Sequence, residues 1–311
     1  MPSLRDIRRK IKSVKSTEQI TRAMKMVAAA RMRRAQAAMF AARPFAIKME
    51  GLIRDLVAVH RARQAEAQAP ASVRDFFGAP PDGAVGLILV TADKGLCGAF
   101  NATLLRAALD WLSANRDRKV CLALVGRKGR DFTRRLRGFD GEVVTELAGI
   151  FPRVGFHHAE VLGQAVMDAY FKKGLSRWDV IYNEFKSVAQ QRLVRLTLLP
   201  VAEFSAPAPF GSGRTAPLGG GGPLPAEFGY EPDYGQLLQA LLQRFIKAEL
   251  YRMLLESQAA ELSARMNAMD SASKNAAELR EVLGVQANRQ RQALITKEIA
   301  ELVGGAEALA A

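Results

Sequence analysis

The sequence predicts an α/β protein in which a long antiparallel coiled coil, formed by the N- and C-terminal helices, brackets a Rossmann-like α/β domain. Three observations carry that expectation. No glycine precedes Gly51, and Leu4, Ile7, Ile11 and Val14 are spaced 3, 4 and 3, the seam of a heptad. The last segment repeats the pattern: Leu255, Ala259, Leu262, Met266, Met269, Ser273 and Ala276 alternate 4 and 3. Between the two, short apolar runs alternate with helical patterns, the order of a doubly wound sheet.

The first segment, 1–60, is rich in alanine, methionine and arginine, which are strong helix formers, with Pro44 as its interior breaker. Some 55 residues at about 1.5 Å each make a rod of about 80 Å, longer than a compact domain needs. A polar Ala/Gln/Pro stretch, 61–82, reads as a linker. Over 83–203, GAVGLILV reads as a buried strand, NATLLRAALDWLSAN as a helix and KVCLALVG as a second strand. RKGRDFTRRLRG is expected as a short basic helix, EVVTELAGI as a third strand and HHAEVLGQAVMDAYFKKG as another helix. WDVIYNEFKS and QRLVRLTLLP follow as two strands joined by a tight turn. The stretch 204–233, dense in Gly and Pro over 204–229, reads as a loop. The segment 234–311, with Gly284 inside its long run, reads as a second rod of roughly 100 Å. Each apolar seam is too narrow to stand alone, so winding the two helices on one another is the economical solution.

No apolar run approaches the roughly 18–20 residues that cross a bilayer. The basic N-terminus lacks the apolar stretch of a secretory signal. Two cysteines, Cys97 and Cys121, fit a reducing compartment, and a cytoplasmic location is expected. The net charge of +14 is unevenly spread: residues 1–48 hold thirteen Lys and Arg against Asp6 and Glu18. Such a surface implies an acidic partner.

The loop VTADKGLCGAFN raises the question of chemistry. Lys94 is followed by Gly95, so a phosphate-binding G-x-x-x-x-G-K-[ST] is absent, and Gly95 and Gly98 do not make the dinucleotide fingerprint. A nucleophile elbow would need G-x-C-x-G, and His60, His157 and His158 bear no sequence relation to Cys97. Cys97 therefore reads as a small residue in a tight strand-to-helix loop. No metal-ligand spacing occurs, and adjacent His157 and His158 point about 100° apart on a helix. Arg127, Lys128 and Arg130 beside a strand end could bind phosphate, but a solvated helix face is the favoured reading. No cofactor, metal or catalytic residue is expected. A basic coiled-coil nucleic-acid-binding protein is the alternative function, but residues 1–48 offer only Phe40 and Phe45 for base stacking.

Four stretches resemble the gamma subunit of the rotary ATP synthase: LRDIRRKIKSVKSTEQITRAMKMVAAARMRRAQ, VTADKGLCGAFN, YEPD ahead of ARMNAMDSASKNA, and ITKEIAELVGGAEA. Ala99 stands where a second glycine is common, and the regulatory cysteine insertion of chloroplast forms is missing. The resemblance implies a non-catalytic central rotor stalk on the cytoplasmic face of the inner membrane. Its implied partners are the alpha and beta subunits, the epsilon subunit and the membrane ring of c subunits, with no nucleic acid and no insertion into the membrane. It further implies beta-subunit contacts at Met24, Lys25, Lys94, Cys97, Arg291 and Gln292, and rotor-ring or epsilon contacts at Tyr230 and Glu231. Arg8, Arg9, Lys10, Arg22, Arg31, Arg33 and Arg34 are expected to face acidic beta segments, and the tail AEALAA to turn in an apolar sleeve.

Overall fold

The computed structural model describes residues 3–65, 76–78, 80, 82–136, 138–151, 153–201 and 234–310. The Gly/Pro-rich stretch 204–233, with Tyr230 and Glu231, lies outside the described residues. The elements are α1 (Leu4–Ala65), β1 (Val85–Val90), α2 (Phe100–Ala114), β2 (Val120–Val125), α3 (Arg127–Thr133), β3 (Glu142–Leu147), α4 (Phe156–Lys173), β4 (Arg177–Phe185), β5 (Gln191–Leu199) and α5 (Tyr234–Ala310). The chain divides into two compact units, Met1–Ala29 with Arg265–Ala311, and Ala30–Ala264. Helices α1 and α5 contribute to both.

In the terminal unit, α1 opens on a reciprocal cap. The Asp6 amide donates to Ser3 Oγ at 3.2 Å, and the Ser3 hydroxyl donates to the Asp6 carboxylate at 2.7 Å. The seam of α1 runs as read: Ile7 and Ala28 are buried, and Leu4, Ile11 and Val14 are half-buried. It continues in step through Glu18, Thr21 and Lys25, so three polar residues sit where apolar ones usually pack. On α5 the matching stripe is Met269, Ala276 and Leu283, spaced by sevens and all buried. Two ion pairs show the helices antiparallel, since Glu18 meets Arg280 at 3.1 Å while Lys25 meets Asp270 at 2.6 Å. The Thr21 hydroxyl turns back on its own helix, donating to the Thr17 and Glu18 carbonyls.

The central unit is built on a five-stranded sheet of order β3-β2-β1-β4-β5. The first four are mutually parallel, and β5 runs antiparallel to β4. Strand β1 lies in the middle and is buried throughout, which explains its continuous apolar run. Its alternate side chains feed two cores. Val85, Leu87 and Leu89 pack with Leu104, Ala108 and Trp111 of α2. Ile88 and Val90 pack with Leu162 and Val166 of α4, Leu238, Leu242 and Ile246 of α5, and Met39 of α1. Gly86 is required in β1, because a Cβ there would lie 2.3 Å from the Trp178 ring of β4.

Three boundaries differ from those read in the sequence. Helix α1 runs to Ala65, five residues past His60. Helix α3 stops at Thr133, where i to i−3 bonds from Arg135 and Leu136 tighten the chain into a turn. Strand β3 ends at Leu147, two residues before Gly149 takes a φ of 82°. Helix α5 also departs from a one-sided seam, because Met253–Ser263 is buried on every face. Glu256 lies in this stretch and meets Arg252 at 2.9 Å, and Arg252 also meets Glu249 at 2.7 Å. Burial pushes the Glu256 carboxyl up, against the opposing pull of Arg252.

Candidate functional site

The strand-to-helix loop after β1 is held by three side chains. The Thr91 hydroxyl donates to the Val125 carbonyl at 2.9 Å and accepts from the Gly129 amide at 2.8 Å. Asp93 lies at the carboxyl end of β1, where doubly wound sheets place phosphates against backbone N–H groups. Here those donors are taken by the chain itself. Asp93 Oδ1 accepts from the Arg127 amide at 3.1 Å and the Gly149 amide at 2.7 Å, and Oδ2 accepts from the Phe151 amide at 3.1 Å. A carboxylate of the protein thus occupies the place an anion would take.

Asn101 clamps the loop from below. Its Oδ1 accepts from the Ala92 amide at 3.0 Å, and its Nδ2 donates to Cys97 Sγ at 3.2 Å and to the Lys94 carbonyl at 3.5 Å. Cys97 is 1% exposed, so its side chain packs into the α2 core and offers no surface to a partner. The expectation of a contact at Cys97 therefore shifts to its neighbours. Leu96 is 65% exposed with a φ of 64°, a left-handed conformation that costs a side-chain-bearing residue about 1–2 kcal/mol. Lys94 is exposed beside it. The loop presents one cation and one apolar knob on a rigid base.

On α1, Met24 and Lys25 are both half-buried, and the Lys25 ammonium is engaged by Asp270 within the chain. Lys25 therefore faces the helix pairing. The exposed apolar residues at this level are Met26, at 62%, with Ile20 and Val27. Arg8, Arg9, Lys10, Arg22, Arg31, Arg33 and Arg34 are all exposed. Arg291 and Gln292 of α5 are exposed, and beyond them Leu294, Ile295, Ile299, Leu302 and Val303 present an apolar face to solvent. Contiguous exposed apolar surface of this kind marks a protein contact.

The His157 and His158 rings meet at a tilt of 43° with centroids 3.8 Å apart at the start of α4. His158 Nδ1 accepts the Gly155 amide at 3.0 Å, so the ring caps the helix. Burial, and secondarily His157, holds its pKa below the ordinary histidine value. Among the described residues no cluster of three metal-binding side chains occurs, and no helix is long and apolar enough to cross a membrane.

The sequence reading missed Asp93 and Leu96. Asp93 carried no periodic signal, and its three donors come from distant segments. Leu96 stood in a Gly-containing loop, and a leucine outside any apolar run was the available sign.

The family model described as ATP synthase matches residues 3–309. An ATP synthase gamma chain from Elusimicrobium minutum is 45% identical over 318 residues, covering 99% of each chain. One from Heliobacterium modesticaldum is 38% identical over 309 residues, covering 99% of this chain and 100% of that one. Among solved structures, the central stalk and c-ring of the Tetrahymena thermophila mitochondrial ATP synthase gives a TM-score of 0.59 at 25% identity, over 82% of this chain and 99% of that one. A chain of the Euglena gracilis mitochondrial enzyme shares the fold, with a TM-score of 0.63 at 19% identity, over 98% and 94%.

Proposed function

We propose a role for this chain from one premise: it belongs to the ATP synthase gamma-chain family. The role is that of the central rotor stalk, which couples rotation of the membrane ring of c subunits to the nucleotide sites of the beta subunits. The observation that carries it is the full-length match, together with paired terminal helices whose outer faces are basic along α1 and apolar along 294–303. The nucleic-acid alternative is set aside, because the basic helix belongs to a family named for ATP synthase.

The stalk does no chemistry itself in this reading. The strand ends that would cradle a phosphate are filled by Asp93, which supports a non-catalytic subunit. Its work is to present unequal faces in turn to equivalent neighbours. A ligand or contact shifts a two-state neighbour only by its differential free energy, and a few kcal/mol changes nucleotide affinity by orders of magnitude. Exposed ion pairs from Arg8, Arg22 or Arg31 to acidic segments are each worth less than about 1 kcal/mol, so they guide a turning shaft without locking it. Leu96 and Lys94 supply a contact on the sheet domain, and Met26 and Val27 a contact on α1. In this role the chain is a peripheral component of the complex, working at the cytoplasmic face of the inner membrane.

The test is Arg291→Ala with Gln292→Ala in complex assembled from alpha, beta and this chain. Both residues are exposed, so the melting temperature of the isolated chain stays unchanged. ATP turnover of the assembly falls at least several-fold. Unchanged turnover in a fully assembled complex removes these residues from the contact.

A further inference from the structure

A cavity of about 250 Å³ lies in the central unit, walled by Ala42 and Phe45 of α1, Phe156 of α4, and Arg244, Ala248 and Tyr251 of α5. The α5 residues are spaced 4 and 3 and so share one helix face. The walls are aromatic, with Phe156 and Tyr251 meeting edge to face at 5.5 Å between ring centroids. A dry apolar cavity of about 150 Å³ takes up benzene, so this one has room for two fused rings.

The charges around the cavity are unequal. Arg252 also borders it, and its guanidinium is neutralised by Glu249 and Glu256 at 2.7 and 2.9 Å. Arg244 lies over the Phe45 ring, 5.8 Å from the centroid, is exposed, and has no ion-pair partner among the described residues. Among the described residues, one cation without an ion-pair partner thus stands beside an aromatic chamber with few hydrogen-bonding groups. That combination excludes a sugar or a nucleobase, which would leave buried polar groups unpaired. It suits a flat apolar body carrying a single negative charge.

We propose that this cavity binds a small aryl carboxylate, its rings held between Phe156, Tyr251 and Phe45 and its carboxylate paired with Arg244. Such a ligand touches α1, α4 and α5 together. It binds the folded chain only, and so raises its melting temperature with concentration.

The probe is 2-naphthoate, titrated calorimetrically into the purified full-length chain. Saturable binding at one site is expected. Arg244→Gln weakens it at least tenfold, and the neutral analogue 2-naphthylmethanol binds the unaltered chain at least tenfold more weakly. Ala248→Trp fills the chamber and abolishes binding without altering charge, which separates a real site from adsorption to a chain of net charge +14. If circular dichroism shows that the tryptophan disrupts folding, Ala248→Leu carries the same test with a smaller fill. No saturable binding to the unaltered chain, or undiminished affinity in a folded Ala248 variant, overturns the proposal.

Discussion

Lys25 Nζ stands 2.6 Å from Asp270 Oδ1, a partly exposed ion pair that joins the two terminal helices. Asp270 also meets Lys274 at 3.1 Å, and hydrogen bonds from Lys25 and then Lys274 hold its carboxyl below the usual carboxylate range. Two turns away the polarity reverses, with the acid Glu18 on α1 and the base Arg280 on α5. Opposed pairs of this kind specify register. A slip of one heptad would set Glu18 against Ala287 or Ser273, and Lys25 against Ala277 or Ser263, losing both pairs.

The first prediction follows directly. Lys25→Glu lowers the melting temperature by placing like charges in contact, as does Asp270→Lys alone. The double reversal recovers most of the loss. Thermal melts of the four chains, read as a double-mutant cycle, check this; additive losses would mean that the two residues do not interact.

Asp93 gives the second prediction. Asp93→Ala strands the amides of Arg127, Gly149 and Phe151, and costs about 2 kcal/mol of stability in denaturant titration. Asp93→Asn keeps one carbonyl oxygen, and so loses less. Equal losses from the two variants would place the contribution elsewhere than in these bonds.

Acid supplies the third. His158 accepts the Gly155 amide only with Nδ1 unprotonated, and its folded pKa lies below the ordinary 6.5. Above that value both folded and unfolded chains carry the neutral ring, and stability does not change with pH through this group. As pH falls past about 6.5 the unfolded chain takes the proton first, so stability is lost progressively down through the folded pKa. His158→Asn, which offers a carbonyl oxygen near the same place, flattens the loss. Melts between about pH 7.5 and 5.5 measure the slope for both chains. An equal slope in the variant would assign the acid sensitivity to another group.

The parts of the fold legible in the sequence are those with a period. The 3-4 spacing from Leu4 to Val14 marked the first seam, that from Leu255 to Ala276 marked the second helix, of which Met269 and Ala276 lie in the seam, and unbroken apolar runs marked β1 and β2. Met253–Ser263 was harder, because Glu256, Gln258 and Glu261 look like an outer face until Arg252 and the sheet are placed around them. Asp93 was illegible for a different reason. Its partners lie 34, 56 and 58 residues later in the chain, and only the sheet topology brings them to one point. The basic charge of α1 was plain in the sequence, but that Lys25 turns inward to Asp270 depends on helix pairing. Cys97 and Leu96 exchange the roles their chemistry suggests: the thiol is inside and the leucine outside, because the loop reverses through a left-handed turn.

The central claim is that this chain turns within a ring of alpha and beta subunits. Both native cysteines are buried, so a single cysteine introduced at exposed Ala102 accepts a visible probe selectively. With the ring fixed to a surface and ATP supplied, the account predicts unidirectional, stepwise rotation of the probe. A ring that hydrolyses ATP at full rate with this chain bound and the probe stationary would contradict it.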